Sequence, residues 1–368
     1  MKKYRNIYVA ATSQHVGKTT STLGLVSAYM NRGLNVGYCK PVGQKFLELP
    51  NMRVDKDTIL FSDLINFELD PSMHSPVILG PGATTDYLDN PSAFQYEEGI
   101  TNAEKKLDEV HDIVIYEGTG HPGVGSITGL SNAKVASMLD AGVIMIAEGG
   151  IGSTVDMLNM CNALFREHKV DIIGVIINKV LPEKKEKIKT YLEKWLTQQG
   201  IPLLGVIPYD KTLAYPLVST VTNAIKGTVL KFEENLSNKV QDILAGSLVD
   251  LKELKDFENL LLVASTRMVD RAIKKVKSFS SLKNVTKSPL SGVVITGEGY
   301  LADEALEYIE KHKLPLIQTN FDTYGVTLKI SRIEVKINRN TAWKVERAIE
   351  LIEENIDLDK ILELSKLS

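Results

Sequence analysis

The residues best suited to chemistry lie near the start of the chain, in Ala11-Thr12-Ser13-Gln14-His15-Val16-Gly17-Lys18-Thr19-Thr20. A loop of this kind between a strand and a helix turns successive backbone N–H groups toward one point. Lys18 then neutralises β- and γ-phosphates, the Thr19 hydroxyl offers Mg2+ a hard oxygen, and the helix amino terminus faces the anion. The expected phosphate-binding residues are therefore Thr12, Ser13, Gln14, His15, Val16, Gly17, Lys18, Thr19 and Thr20, a P-loop reading. The usual G-x-x-x-x-G-K-[ST] spacing has Gly where Thr12 stands, so the loop departs from the pattern at its first position.

Mg2+ prefers oxygen ligands and keeps several waters, so such a loop needs carboxylates from elsewhere in the chain. The apolar run Ile113-Val114-Ile115-Tyr116 ends in Glu117 and is followed by Gly118-Thr119-Gly120, which lets backbone approach a ligand. Glu117 is the first expected metal ligand beside Thr19, and Asp57, in Val54-Asp55-Lys56-Asp57-Thr58, is the second; a solvated helix N-cap is the alternative for Asp57. Lys40-Pro41-Val42-Gly43-Gln44 follows the second strand, at the carboxyl edge where open α/β sheets bind ligands. Lys40 there meets a second anionic group beside the γ-phosphate, or is a surface lysine. Lys18 and Lys40 form the expected catalytic pair. Asn178 and Lys179 end a later strand at the same edge, and an Asn amide matches the donor-acceptor edge of adenine, although Asn also ends strands for purely local reasons. Glu148-Gly149-Gly150-Ile151-Gly152-Ser153-Thr154 reads equally as a lid or as a turn into a helix, and Arg267 and Arg271 as an anion site or as salt-bridge residues.

These residues sit between regular elements. The runs Ile7–Ala11, Asn35–Cys39, Ile113–Tyr116, Val143–Ala147, Ile172–Ile177 and Leu203–Val206 alternate with helical stretches such as Thr19–Asn31 and Asn132–Asp140. That alternation predicts an α/β fold, a parallel sheet with helices on both faces, over residues 1–210. Between Lys211 and about Ser247 the apolar pattern is weaker. A smaller α/β pattern follows, with strands Leu260–Ala264, Gly292–Thr296 and Leu316–Thr319 and helices near Val269–Val276 and Asp303–Lys311, giving a second domain over 211–345. Thr341 is placed to cap a last amphipathic helix, Ala342–Asn355, which runs on into a C-terminal helical tail over 346–368 that closes on Ile356–Leu367.

Composition removes whole classes of function. Apolar residues at 43% and charged residues at 24% of 368 exclude a disordered or collagen-like chain. A formal charge of -3 supplies no bulk attraction for nucleic acid or an acidic membrane. Cys39 and Cys161 form no CxxC, and the histidines show no metal-ligand spacing such as H-E-x-x-H, so thiolate metal chemistry is not expected. The start lacks a signal-peptide core and no run is long enough to cross a bilayer, which predicts a cytoplasmic protein.

Taken in order, Val16-Gly17-Lys18-Thr19, Lys40-Pro41-Val42, Glu117-Gly118-Thr119-Gly120, Asn178-Lys179 and Pro202-Leu203-Leu204-Gly205-Val206-Ile207-Pro208 resemble the dethiobiotin synthetase-like P-loop fold. Gln44 and the loop through His121-Pro122-Gly123 make the chain more similar to the N-terminal region of long phosphate acetyltransferases, where a DRTGG domain follows. Val269-Asp270-Arg271 and Ile295-Thr296-Gly297 match parts of that second domain, with Glu298 in place of its second Gly. The resemblance implies ATP and Mg2+ as ligands, a metal shell of Thr19, Asp57 and Glu117, adenine at Asn178, a dimer or higher oligomer, and a regulatory protein that senses nucleotide or a small anionic metabolite. Acetyl transfer is not expected, because these 368 residues stop before the acetyltransferase domain.

The alternative is an ATP-dependent ligase that activates a carboxylate for attack by a free amine or ammonia. Glutamine-fed relatives need a Cys nucleophile in a second domain, and none follows Cys161. His15 stands where dethiobiotin synthetases carry an acid, and Gln44 where they carry a substrate-binding Ser, so their own substrate is not expected. A partition-type switch ATPase ranks last, since Thr12 to Val16 holds no second loop lysine.

Overall fold

Six runs rich in Val, Ile and Ala form the central sheet in a computed structural model that describes residues 2–49, 52–246, 257–333, 335, 337 and 340–365. They are β1 (Asn6–Ala11), β2 (Val36–Cys39), β3 (Ile113–Glu117), β4 (Gly142–Glu148), β5 (Ile172–Val180) and β6 (Leu203–Pro208). All pair in parallel, in the order β6-β5-β4-β1-β3-β2. Every residue of β1, β2 and β3 is buried, as a sheet covered by helices on both faces requires. The expected α/β architecture is the observed one.

Connectivity places the site. From β1 the chain crosses to β2 over the position that β3 later fills, and after β3 it passes to the other side of β1 as β4. Connections thus diverge beside β1, and open α/β sheets take ligands outside the carboxyl ends of their strands at such a point. The loop after β1, Lys40 after β2 and Glu117 at the end of β3 all reach that edge.

The chain divides into two compact units, Met1–Asp210 with Ile337–Ser368, and Lys211–Lys336. Residues 337–345, expected with the second domain, and the tail after them therefore belong with the first unit. The helix Ala342–Asn355 has the expected bounds, but Thr341 at its N-cap position makes no side-chain capping bond. Its partner is the helix Lys18–Asn31. The two approach closely at Gly24, where a Cβ would stand 2.5 Å from Ile352 Cγ1 and 3.0 Å from the Ala348 carbonyl. Backbone bonds extend the docking, with the Asp357 N–H donating to the Leu204 carbonyl (2.8 Å) and the Tyr4 N–H to that of Leu364 (2.9 Å). Residues 366–368 of the expected tail lie outside the described residues, as does Ser247.

This contact predicts that Gly24→Ala lowers the thermal midpoint, although Ala favours a helix interior by about 1 kcal/mol over Gly. Overpacking against Ile352 costs about 1–3 kcal/mol. A raised midpoint in a melt followed by circular dichroism would contradict it.

The second unit has a five-stranded sheet of β7 (Thr228–Lys231), β8 (Asp242–Ala245), β9 (Leu260–Ser265), β10 (Leu290–Thr296) and β11 (Leu316–Thr319), ordered β7-β11-β10-β9-β8. Only β7 runs antiparallel to its neighbour. The helices Val269–Leu282 and Asp303–Lys311 follow β9 and β10. The stretch that looks weakly apolar holds the helix Val218–Ala224 and both edge strands, β7 and β8. Their residues are largely exposed or half-buried, so they lack the unbroken apolar run of the central strands. Among the described residues no helix is long and apolar enough to cross a membrane.

Candidate functional site

β1 carries its pairing one residue beyond Ala11, since the Thr12 N–H donates to the Ile146 carbonyl at 3.0 Å. Thr12 is buried there, whereas Gln14 and His15 are exposed. The loop turns on two left-handed residues, His15 (φ 63°) and Gly17 (φ 93°), and Gly17 is the N-cap of the helix Lys18–Asn31. No side chain caps that helix, so its first N–H groups face the loop without side-chain acceptors.

Two residues of β5 brace the loop. Asn178 Nδ2 donates to the Val16 carbonyl at 2.8 Å, and the Lys179 ammonium donates to the His15 carbonyl. Drawing these carbonyls toward β5 leaves the intervening N–H groups to point the other way, as an anion-binding nest needs. Asn178 Oδ1 meanwhile accepts from the Lys179 N–H at 2.8 Å. Both polar atoms of the Asn178 amide thus hold the chain. These residues do not end their strand, which continues to Val180 with Lys179 itself left-handed at φ 57°. A non-glycine residue held there costs free energy that the surrounding structure must offset, a feature that clusters at functional sites.

Three carboxylates face two ammonium groups beside the loop. The Thr19 hydroxyl donates to Glu117 Oε1 at 2.7 Å and the Tyr38 hydroxyl to Glu117 Oε2 at 3.1 Å. Tyr38 is fixed in turn by stacking on Phe61, with ring centroids 3.6 Å apart. Lys18 Nζ donates to the Gly120 carbonyl at 3.3 Å. Lys40 is paired with Asp57 and lies 3.3 Å from Asp55 Oδ1. At 6% exposure, Lys40 is not the surface lysine of the alternative reading. Nor is Asp57 the N-cap: Asp55 holds that position on the helix Lys56–Ile65, accepting from the Asp57 N–H at 2.9 Å.

Burial and mutual charge set the protonation of this cluster. Burial lowers the Lys18 ammonium to about 8, against the opposing pull of Glu117. Burial also works against the Lys40 ammonium, but Glu117, Asp57 and Asp55 together outweigh it and hold Lys40 above its ordinary value. Glu117 is raised by burial, countered in part by Lys40. Among the described residues no group of three or more His, Cys, Asp or Glu side chains is arranged to hold a metal ion by itself. The Thr19 hydroxyl in contact with the Glu117 carboxylate is instead an all-oxygen donor set, the chemistry Mg2+ accepts when phosphate and water complete its shell.

Sequence reasoning missed three supporting residues. Asn132 shapes the loop after Glu117: its Oδ1 accepts from the Thr119 N–H at 2.9 Å, and its Nδ2 donates to the Thr119 and His121 carbonyls, each at 2.7 Å. Tyr38 orients Glu117, and His74 steadies the backbone at Lys40, whose N–H donates to the His74 carbonyl at 2.9 Å. No local pattern marks them, because each acts on a residue distant in sequence. Glu148–Thr154 is a turn into the helix Gly152–Glu167, closed by Thr154 Oγ1 on the Glu148 carbonyl at 2.8 Å, and Arg267 and Arg271 are exposed on the second unit.

His74 gives the site a pH signature. Its Nδ1 lies 3.1 Å from the Asp70 backbone nitrogen, and burial holds its pKa below the ordinary 6.5. The unfolded chain therefore takes up this proton first. Its contribution is complete above about 6.5 and is lost as pH falls toward the lowered native value. Thermal midpoints measured from pH 7 to pH 5 should fall less steeply for His74→Asn than for the wild type; parallel slopes would contradict this.

Comparison with known proteins gives the same order of parts. Residues 5–216 match the family described as AAA domain, and residues 220–333 match the DRTGG domain. The phosphate acetyltransferase of Nitrosomonas europaea is 22% identical over 95% of this chain and 50% of its own length. The cobyric acid synthase of Carboxydothermus hydrogenoformans is 25% identical, covering 85% of this chain and 66% of its own. A probable cobyric acid synthase of Methanocaldococcus jannaschii is 28% identical over 57% of this chain and 46% of its own. The chain spans about half the length of the phosphate acetyltransferases it matches. The resemblance drawn from the motifs, a P-loop domain followed by a DRTGG domain, is thereby borne out.

Proposed function

This chain belongs to the AAA domain family through residues 5–216, and from that premise we propose that it binds ATP with Mg2+ at the loop Thr12–Thr20. The observation that carries the reading is the Thr19 hydroxyl set 2.7 Å from Glu117, beside Lys18 and Lys40. Lys18 and the helix amino terminus receive the phosphates, Lys40 meets the terminal phosphoryl group, and Thr19, Glu117 and Asp57 hold the metal. Mg2+, when bound, neutralises charge on the β- and γ-phosphates. In this reading Asn178 and Lys179 position the loop.

We propose further that the chain is a nucleotide- or metabolite-sensing regulatory protein, its second unit carrying the response. Support comes from the alignment of nearly its whole length with one half of phosphate acetyltransferases. A second reading, ATP-dependent ligation of a carboxylate to an amine or ammonia, is favoured by the alignments with cobyric acid synthases.

A thermal-shift screen of ATP, ADP, AMP and GTP with and without Mg2+ tests the binding. No shift with any of them would refute it. Phosphate release that starts only when a carboxylate or amine is added would favour the ligase over the sensor.

A further inference from the structure

One buried acid at the site has no role in the reading above. Asp55 is 1% exposed, and its Oδ2 has no hydrogen-bond partner. Gly43 makes the room for it, since a Cβ there would stand 2.6 Å from that oxygen. A buried polar atom without a partner is costly and calls for an explanation other than stability. Capping does not supply one, because Asn caps a helix as well as Asp does. The charge of Asp55 therefore has another use, and the cation beside it is Lys40, 3.3 Å from Oδ1.

We propose that Asp55 is a positioning residue that keeps Lys40 in the site while Asp57 changes partner from Lys40 to a divalent metal ion. The proposal rests on the nucleotide and magnesium reading above. In the structure Lys40 bridges Asp55 and Asp57. A divalent cation arriving at Asp57 repels the ammonium and competes for the same oxygens. Asp55 then leaves Lys40 with a buried anion as its partner, where an unpaired buried charge would be strongly destabilising. Without the Asp55 charge, Lys40 holds Asp57 alone, and the metal must break that pair outright. Asp55 thus acts on the metal only through Lys40.

The test is Mn2+ binding to the full chain, followed by electron paramagnetic resonance without nucleotide, with ATP thermal shifts measured alongside. Asp55→Asn should raise the Mn2+ dissociation constant at least fivefold, and Lys40→Met should lower it at least fivefold. In the Lys40→Met background, Asp55→Asn should change it less than twofold. That double-mutant comparison separates action through Lys40 from simple loss of a nearby charge, which weakens metal binding equally in both backgrounds. Equal weakening in both, or weaker Mn2+ binding in Lys40→Met, overturns the proposal. If Asp55→Asn does not fold, Asp55→Ser, which keeps a helix-capping oxygen without the charge, goes through the same two-background comparison. Should ATP leave the wild-type midpoint unmoved, the proposed function falls and this inference with it. A retained ATP shift with additive Mn2+ data overturns this inference only.

Discussion

Lys18→Ala is expected to erase the rise in thermal midpoint that ATP with Mg2+ produces in the wild-type chain. A ligand at one hundred times its dissociation constant stabilises the native state by about 2.7 kcal/mol, a rise of roughly 5–10 °C for a unit of this size. Lys18 is the ammonium at the head of the helix Lys18–Asn31, held toward the Gly120 carbonyl and lowered to about 8 by burial. A phosphate oxygen replaces the solvation that burial takes from it, and a charge-assisted hydrogen bond of this kind is roughly twice as strong as a neutral one. Each protein must be compared with its own midpoint without ligand, because removing Lys18 also leaves Glu117 with less positive charge nearby. Retention of more than half the wild-type shift would remove Lys18 from the site.

Gly17→Ala is expected to destabilise the first unit by about 2–5 kcal/mol and to abolish the same shift. Two causes combine. At φ 93° a side chain meets the left-handed penalty of roughly 1–2 kcal/mol. The new Cβ would also stand 2.3 Å from Asn178 Nδ2, the atom that holds the Val16 carbonyl. The second cause predicts a coupling: Asn178→Ala should cost less in the Gly17→Ala background than in the wild type, by about 1–3 kcal/mol. Denaturant melts of the four proteins measure this directly. Additive costs would show that the loop and β5 are not in contact there.

What was legible in the sequence was what is local. Gly17-Lys18-Thr19 carries its own strand before and helix after, and Glu117 ends an unbroken apolar run, so both could be placed at the sheet edge. Asp55 and Asp57 differ by two positions in an acidic stretch, and only the true start of the helix tells which one caps it and which one faces Lys40. Asn178 and Lys179 were visible as polar residues after an apolar run. Their partners Val16 and His15 lie 162 and 164 residues away, beyond any periodicity.

The C-terminal helix shows the same division. Its amphipathic pattern announced Ala342–Asn355 and an apolar face to be covered, but such a pattern does not say what covers it. Gly24 on the helix behind the phosphate loop does, and a glycine inside a helix carries no mark of its neighbour until the two are packed. Alternation of apolar runs sufficed for the six strands of the first sheet and the three central strands of the second, because burial on both faces demands it along the chain, and it failed for the exposed edge strands β7 and β8. Which charges meet, and which side chains hold the loop open, followed from folding alone, because electrostatics and packing act between atoms near in space, however far apart in sequence.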